Sequence, residues 1–175
     1  TVLVGCHRPD PRAQGVLHRL YAQAVLFRTD NETFCLLAID SLGLTRSLAN
    51  TIRSQIAERL NADVSHVMLN FSHTHSAPEP TPFALNGERY FLFLCSRIIL
   101  CVESAMERFT ACKVGWSYTS AAIGENRRDG CSITDHRLGA LMVARADDEK
   151  PIVLVTRVTA HANVLMRQNT KISSD

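Results

Sequence analysis

Residues 33–75, TFCLLAIDSLGLTRSLANTIRSQIAERLNADVSHVMLNFSHTH, contain an apolar run, a helical repeat and a second apolar run. The first run, residues 33–40, and the second, residues 66–72, have the length and composition of buried strands. Between them, Thr45 can cap a helix that Asn61 can end. The apolar positions of this helix recur every four residues and indicate one buried face: Leu48, Ile52, Ile56 and Leu60. The segment predicts a strand–helix–strand unit.

The flanking sequence adds four strands and a second helix. An apolar run at residues 19–28, followed by the polar residues 29–32, predicts a hairpin with the strand at 33–40. Residues 88–109 predict the longest helix, whose polar residues define one narrow solvent-facing stripe on an otherwise buried surface. Three further strands are predicted at 112–119, 137–146 and 151–160. This order is typical of the α/β class, with a mixed β-sheet flanked by helices.

Length and composition exclude several classes of protein. At 175 residues, with 46% hydrophobic and 21% charged residues, the chain suits a single domain, residues 1–175, rather than a disordered one. A net charge of +2 without basic clusters gives no basis for nucleic-acid binding. The longest apolar stretch, residues 90–102, is shorter than the roughly 20 residues that span a bilayer, so we expect no transmembrane segment. The six cysteines show no CxxC pair, which favours buried free thiols.

The segment FSHTHSAPEP, residues 71–80, is the main candidate for chemistry. His73 and His75 lie two positions apart at the end of a predicted strand, where the side-chain period of two projects both to one side. Neutral imidazole is a common zinc ligand, so the pair can share a metal or bind a substrate. Two surface histidines without a role are the alternative. Two known families with an HxH motif do not fit. A metallo-β-lactamase pattern would need Asp at the position of Ala77. TIM-barrel amidohydrolases carry HxH on their first strand, whereas here two predicted strands and a helix come first.

Two other segments are candidates with ordinary structural alternatives. His161 stands at the end of the predicted strand Ile152–Val158, where a structural histidine is the alternative. In the loop IGENRRDG, residues 123–130, Arg127 and Arg128 can bind a carboxylate or phosphate through the planar guanidinium fork. A solvated basic turn is the alternative there.

Together these segments resemble one family, the neutral (non-lysosomal) ceramidases. FSHTHSAPEP resembles the family's SHTHSGP signature, with Ala77 where glycine is usual. QGVLHRLYAQAVLF resembles the family's G…LYARALVL opening, and CLLAIDSLGL resembles its vlvslDllgl strand. IGENRR resembles the N-R loop, and AHANVLMRQNTKISSD resembles HPTVLGPDNxxISAD. The motifs occur in the family's order and cover the chain from about Gly15 to Asp175.

The resemblance implies a zinc-dependent hydrolase that cleaves the amide bond of N-acyl sphingoid bases, such as ceramide, through a zinc-activated water. It implies that His73 and His161 are zinc ligands and that His75 and Arg127 contact the reacting groups. The family's other ligands, a Glu and a Tyr, lie further along its chain. Residues 1–175 therefore resemble the truncated, N-terminal portion of a larger catalytic domain. Because catalytic zinc normally has three protein ligands, we expect the fragment alone to be inactive.

The expected partners are a lipid-like N-acyl substrate and the missing C-terminal remainder of the same domain. Two departures from the family's motifs keep two alternatives open: Ala77 in place of glycine, and HANVLM in place of HPTVLG. One is a divergent relative that hydrolyses another amide or ester, and the other is a non-catalytic relative that binds a ligand. The family resemblance favours a secreted or membrane-facing protein and the unpaired cysteines favour the cytoplasm, so the localisation stays undecided.

Overall fold

A computed structural model describes residues 1–175 and shows two helices and six strands. The helices are α1, Arg46–Leu60, and α2, Gly87–Met106; a short 3-10 helix covers Val64–His66. The strands are β1, Ala22–Arg28; β2, Thr33–Ile39; β3, Val67–Phe71; β4, Cys112–Ser120; β5, Arg137–Arg145; and β6, Pro151–Arg157. The predicted α/β class with a mixed sheet and helices is confirmed. The strands divide into two sheets, a mixed one of order β1-β2-β3 and an antiparallel one of order β4-β5-β6.

The chain divides into two compact units. The first contains Thr1–Phe109 and Ala162–Asp175, and the second contains Thr110–His161. The mixed sheet and both helices lie in the first unit, and the antiparallel sheet forms the second. That residues 1–175 belong to one domain stays a prediction.

The mixed sheet is formed by the predicted hairpin and the predicted strand–helix–strand unit. β1 and β2 pair antiparallel across a turn in which the Thr29 N–H donates to the Glu32 carbonyl at 2.9 Å. β2 and β3 pair parallel, so the chain must cross over between them, and α1 provides that connection. The Thr45 side chain caps α1 by accepting from the Leu48 N–H, and Asn61 ends it in the left-handed conformation.

Both helices cover one face of the mixed sheet. Alternate residues of β2 point toward the helices, as the side-chain period of two requires, and all three are buried: Cys35, Leu37 and Ile39. Ile56 of α1 and Ile98 of α2 are fully buried in the same cluster. The core of the first unit is therefore a single sheet-to-helix interface.

The exposed face of α2 is more apolar than the sequence pattern predicts. Leu92, Phe93 and Leu100 are 63%, 59% and 53% exposed, whereas Leu94 and Ile98 are buried. The prediction of one narrow solvent-facing stripe is therefore wrong, because large apolar residues of α2 lie outside the surface that packs against the rest of the unit. Neither helix has the length and hydrophobicity required to cross a membrane.

The second unit is a three-stranded antiparallel meander with little buried surface. β5 lies in the middle, and Val143 and Ala144 are buried there. All nine residues of the edge strand β4 are exposed, and the rings of Trp116 and Tyr118 meet edge-to-face with centroids 5.2 Å apart. The sheet thus presents apolar side chains to solvent on β4.

Replacing Ile98 with Ala should lower the free energy of unfolding by about 2–5 kcal/mol, because the truncation leaves a cavity in the core. The matched change on the same helix, Leu92→Ala, should alter it by no more than about 0.5 kcal/mol, since Leu92 is mostly exposed. Urea unfolding followed by the circular dichroism of the helices measures both values. Equal losses in the two variants would contradict the assignment of the core.

Candidate functional site

The site begins where the parallel strands β2 and β3 end together. Their pairing extends past the strands: the Ser72 N–H donates to the Ile39 carbonyl at 3.0 Å, and the His73 N–H donates to the Ser41 carbonyl at 2.9 Å. The carboxyl ends of adjacent parallel strands form an edge at which α/β proteins place their ligands. The histidine segment therefore leaves the sheet at this edge.

His73 and His75 are neighbours, although the backbone reaches that arrangement by a turn rather than by strand alternation. β3 ends at Phe71, and His73 has a φ of 63°, in the left-handed region. The two imidazoles meet edge-to-face with ring centroids 5.2 Å apart. Thr74, between them, is fully buried. The two rings are neighbours, as the sequence predicts. The reason for that prediction, the side-chain period of two in a strand, does not apply, because β3 has already ended at Phe71.

The hydrogen bond of His73 determines which of its nitrogens faces a metal. Its Nδ1 lies 2.6 Å from the carbonyl oxygen of Leu42. Because a carbonyl oxygen can only accept, Nδ1 carries the proton and donates it. The neutral ring then has its lone pair on Nε2. A backbone carbonyl behind the ring is the usual support of a metal-binding histidine.

His75 has the opposite arrangement. Its Nδ1 accepts the backbone N–H of Cys6 at 3.3 Å, and the Cys6 Sγ lies 3.6 Å from the same nitrogen. An Nδ1 that accepts a hydrogen bond has no proton in the neutral ring, so the proton is on Nε2. His75 therefore presents a donor at Nε2, where His73 presents an acceptor.

Three histidines form a group that could hold a metal ion. His161 follows β6 by a few residues, and one ring nitrogen from each of His73, His75 and His161 lies within 4.8 Å of the others. His73 and His161 are exposed, and His75 is half-buried. Imidazole donors are well suited to zinc. The structure thus gathers the three histidines that the sequence singled out.

Arg127 and Arg128 lie in the loop between β4 and β5, and both are exposed. Asn126 organises this loop: its side-chain amide donates to the Ile133 carbonyl at 3.0 Å, and its oxygen accepts the Arg128 N–H at 3.1 Å. Exposure alone does not separate the two arginines, so the distinct role of Arg127 stays a prediction.

The residues that support the histidine turn from behind carry no recognisable sequence pattern. The Thr74 hydroxyl donates to the Ser173 carbonyl at 3.0 Å, and the Asn169 amide donates to the Ser76 hydroxyl at 2.9 Å. The Ser173 N–H donates in turn to the Ser76 carbonyl at 3.0 Å. These contacts join positions more than 90 residues apart, so no local pattern could reveal them.

A cleft of about 620 Å³ lies elsewhere on the first unit, between α2 and the segment that leads into β1. Its walls are mainly apolar and carry the charged side chains of Arg19, Asp40 and Arg97. Burial, together with the charge of Asp40, raises the pKa of Tyr90 to about 12. Because the walls come from distant parts of the chain, the cleft also left no signature in the sequence.

Comparison with solved structures identifies the fold. The chain superposes on a ceramidase complexed with C2 with a TM-score of 0.85 and 17% identity, over 99% of this chain and 31% of that one. Neutral ceramidase from Pseudomonas aeruginosa gives a TM-score of 0.83 and 17% identity, over 99% of this chain and 32% of that one. The chain thus spans about a third of the length of these structures. No protein-family model and no curated protein sequence matches it.

The geometry of His75 requires glycine at position 5. Gly5 has a φ of 78°, and a Cβ at this position would lie 2.1 Å from the His75 Nδ1. Gly130 has a similar φ of 72° but open space around it. Both Gly5→Ala and Gly130→Ala should destabilise the protein by about 1–2 kcal/mol, the cost of a left-handed backbone in a residue with a Cβ. Gly5→Ala should in addition displace the His75 ring.

The ring-nitrogen chemical shifts of His75, measured by ¹⁵N NMR, report this displacement. They should change in Gly5→Ala and stay at wild-type values in Gly130→Ala. Unchanged His75 signals in a folded Gly5→Ala protein would show that the ring does not depend on the close approach of Gly5.

Proposed function

We propose that the protein is a zinc-dependent hydrolase of amide bonds and that N-acyl sphingoid bases are its substrates. The observation that carries the proposal is the pair of hydrogen bonds at Nδ1: His73 donates to the Leu42 carbonyl, whereas His75 accepts the Cys6 N–H, so the two neutral rings are opposite tautomers. A hydrolase that uses a metal needs both functions close together, a ligand for the metal and a donor for the oxygen that gains charge. The ceramidase fold supports the substrate class.

His73 and His161 would hold the zinc. His73 fits this role because the Leu42 carbonyl holds its proton on Nδ1, which puts the lone pair of the neutral ring on Nε2. His75 does not fit a ligand role as well, since binding through Nε2 would require a proton on Nδ1 facing the Cys6 N–H. When bound, zinc supplies Lewis-acid chemistry that makes water nucleophilic near neutral pH.

His75 and Arg127 would act on the substrate. The Nε2–H of His75 can donate to the amide oxygen as negative charge develops on it, and the Cys6 N–H keeps the ring in the required tautomer. The Arg127 guanidinium supplies a second, permanently charged donor for the same oxygen. Donors fixed in advance stabilise the transition state more than the ground state, which is the condition for a faster reaction.

The proposal concerns a longer protein than these residues, since the matched structures are about three times as long. Two histidine ligands leave catalytic zinc short of its usual three. We infer that the remaining ligands come from outside residues 1–175, and that residues 1–175 alone are inactive. Expressing both the 175-residue chain and the natural polypeptide that carries it, then assaying each with zinc, tests this inference. Comparable turnover by the short chain would contradict it.

Substitution of the two signature histidines should separate metal binding from catalysis. In the natural polypeptide, His73→Ala should weaken zinc binding by at least about 100-fold, because it removes a ligand rather than an outer-shell partner. His75→Ala should keep zinc affinity near the wild-type value and lower kcat. His7→Ala, an exposed histidine on the N-terminal segment, serves as the control.

Zinc affinity is measured by isothermal titration, and activity is assayed on an N-acyl sphingosine, a simple N-acyl amide and an ester. Faster cleavage of the simple amide or the ester would contradict the proposed sphingoid substrates and would leave the proposed hydrolase activity standing. Equal loss of zinc affinity in His73→Ala and His75→Ala would contradict the division of roles.

The two loop arginines provide a further test. Arg127→Ala should lower kcat/KM by roughly 100–1,000-fold, the usual effect of losing one donor to a developing oxyanion. Arg128→Ala, the neighbouring change of the same charge, should lower it less than about threefold. Steady-state kinetics on the natural polypeptide measure both. Equal effects would refute the assignment of Arg127.

A further inference from the structure

The most unusual buried group outside the histidine cluster is the guanidinium of Arg8. The residue is 8% exposed and makes no ion pair with a carboxylate. Its partners are three backbone carbonyls: Nε donates to Asn169 at 2.8 Å, Nη1 to Val4 at 3.1 Å and Nη2 to His75 at 2.7 Å. A buried cation is costly unless hydrogen bonds replace its hydration. The three carbonyls supply that replacement.

The three carbonyls belong to segments far apart in sequence. The bond to Val4 is local, whereas the bonds to His75 and Asn169 span 67 and 161 residues. Arg8 therefore ties the N-terminal segment, the histidine turn and the C-terminal segment to one planar group.

Two of these contacts act on His75, one at its backbone and one through the segment that contacts its ring. Arg8 holds the backbone carbonyl of His75 directly. Arg8 also donates to the carbonyl of Val4, two residues before Cys6. The backbone N–H of Cys6 in turn donates to Nδ1 of the His75 ring. The third contact acts on the residue next to His75. Asn169 accepts from Arg8 through its backbone carbonyl, and its side-chain amide donates to the Ser76 hydroxyl.

We propose that Arg8 is a positioning residue for His75: it fixes the backbone of His75 and the segment that sets the ring tautomer. The catalytic consequence rests on the proposed function, whereas the effect on the ring does not. The His73 ring has a support of its own, the Leu42 carbonyl beyond β2, to which Arg8 makes no hydrogen bond. Arg8 should therefore control the donor and leave the metal ligand unaffected.

The guanidinium fork is required for this role. Three carbonyls in three directions match the planar, multiply donating group of arginine, whereas a lysine ammonium is a compact point charge on a flexible stem. Arg8→Lys should retain the buried charge and only part of the geometry. Arg12→Met is the matched control, because Arg12 lies on the same segment, is exposed and pairs only with Asp10.

The test compares Arg8→Met, Arg8→Lys and Arg12→Met with the wild type in the natural polypeptide. The first readout is the pair of His75 ring-nitrogen shifts by ¹⁵N NMR, which should move toward a tautomer mixture in Arg8→Met, less so in Arg8→Lys, and not in Arg12→Met. The second is kinetic: kcat should fall by about 10–100-fold in Arg8→Met, as for other supporting partners of an active-site histidine, with KM and zinc affinity within about threefold of wild type.

The outcomes separate the hypotheses. Unchanged His75 shifts in a folded Arg8→Met protein would overturn the positioning role, as would equal losses of zinc affinity and kcat. Failure of both Arg8 variants to fold would also overturn it, in favour of a purely structural role. If the wild-type protein neither binds zinc nor cleaves any substrate, the proposed function fails, and the His75 shifts still decide whether Arg8 controls the ring.

Discussion

The parallel pairing of β2 with β3 is the constraint on which the rest of the first unit depends. It forces the chain to cross over through α1, and it brings the ends of two strands to one edge. The same pairing continues for two residues beyond β3: Ser72 bonds to Ile39, the last residue of β2, and His73 bonds to Ser41 just after it. Those bonds bring the Leu42 carbonyl next to the His73 ring, so the tautomer of a candidate metal ligand follows from strand register.

Beyond that edge, side-chain hydrogen bonds replace regular secondary structure. Thr74 and Ser76 are buried and bond to the C-terminal segment, while His73 is exposed and His75 half-buried. Buried polar groups must be paired, and a fully paired network allows only one backbone conformation. The left-handed φ of His73 persists because its neighbours are fixed on both sides.

The sequence predicts the regular elements well and the site only in part. The capping residues Thr45 and Asn61 stand at the observed ends of α1, because caps and periodicity are local signals. The histidine signature singled out two rings that are neighbours in the structure, and it did not indicate the left-handed conformation of His73. Gly5 and Arg8 went unnoticed because their importance comes from contacts with His75, about 70 residues away. The exposed apolar face of α2 is not predictable for a related reason: periodicity shows which residues are apolar, and only the packing shows how many of them are covered.

The distribution of chromophores between the two units has a practical consequence. The only tryptophan of the chain, Trp116, lies on β4 in the second unit, while both helices lie in the first. Indole emission therefore follows the antiparallel sheet, and helical ellipticity follows the mixed sheet with its helices. The two signals coincide in a denaturation curve only when both units lose structure in one cooperative step. The wild-type chain thus carries an intrinsic reporter for each unit, and neither needs a label.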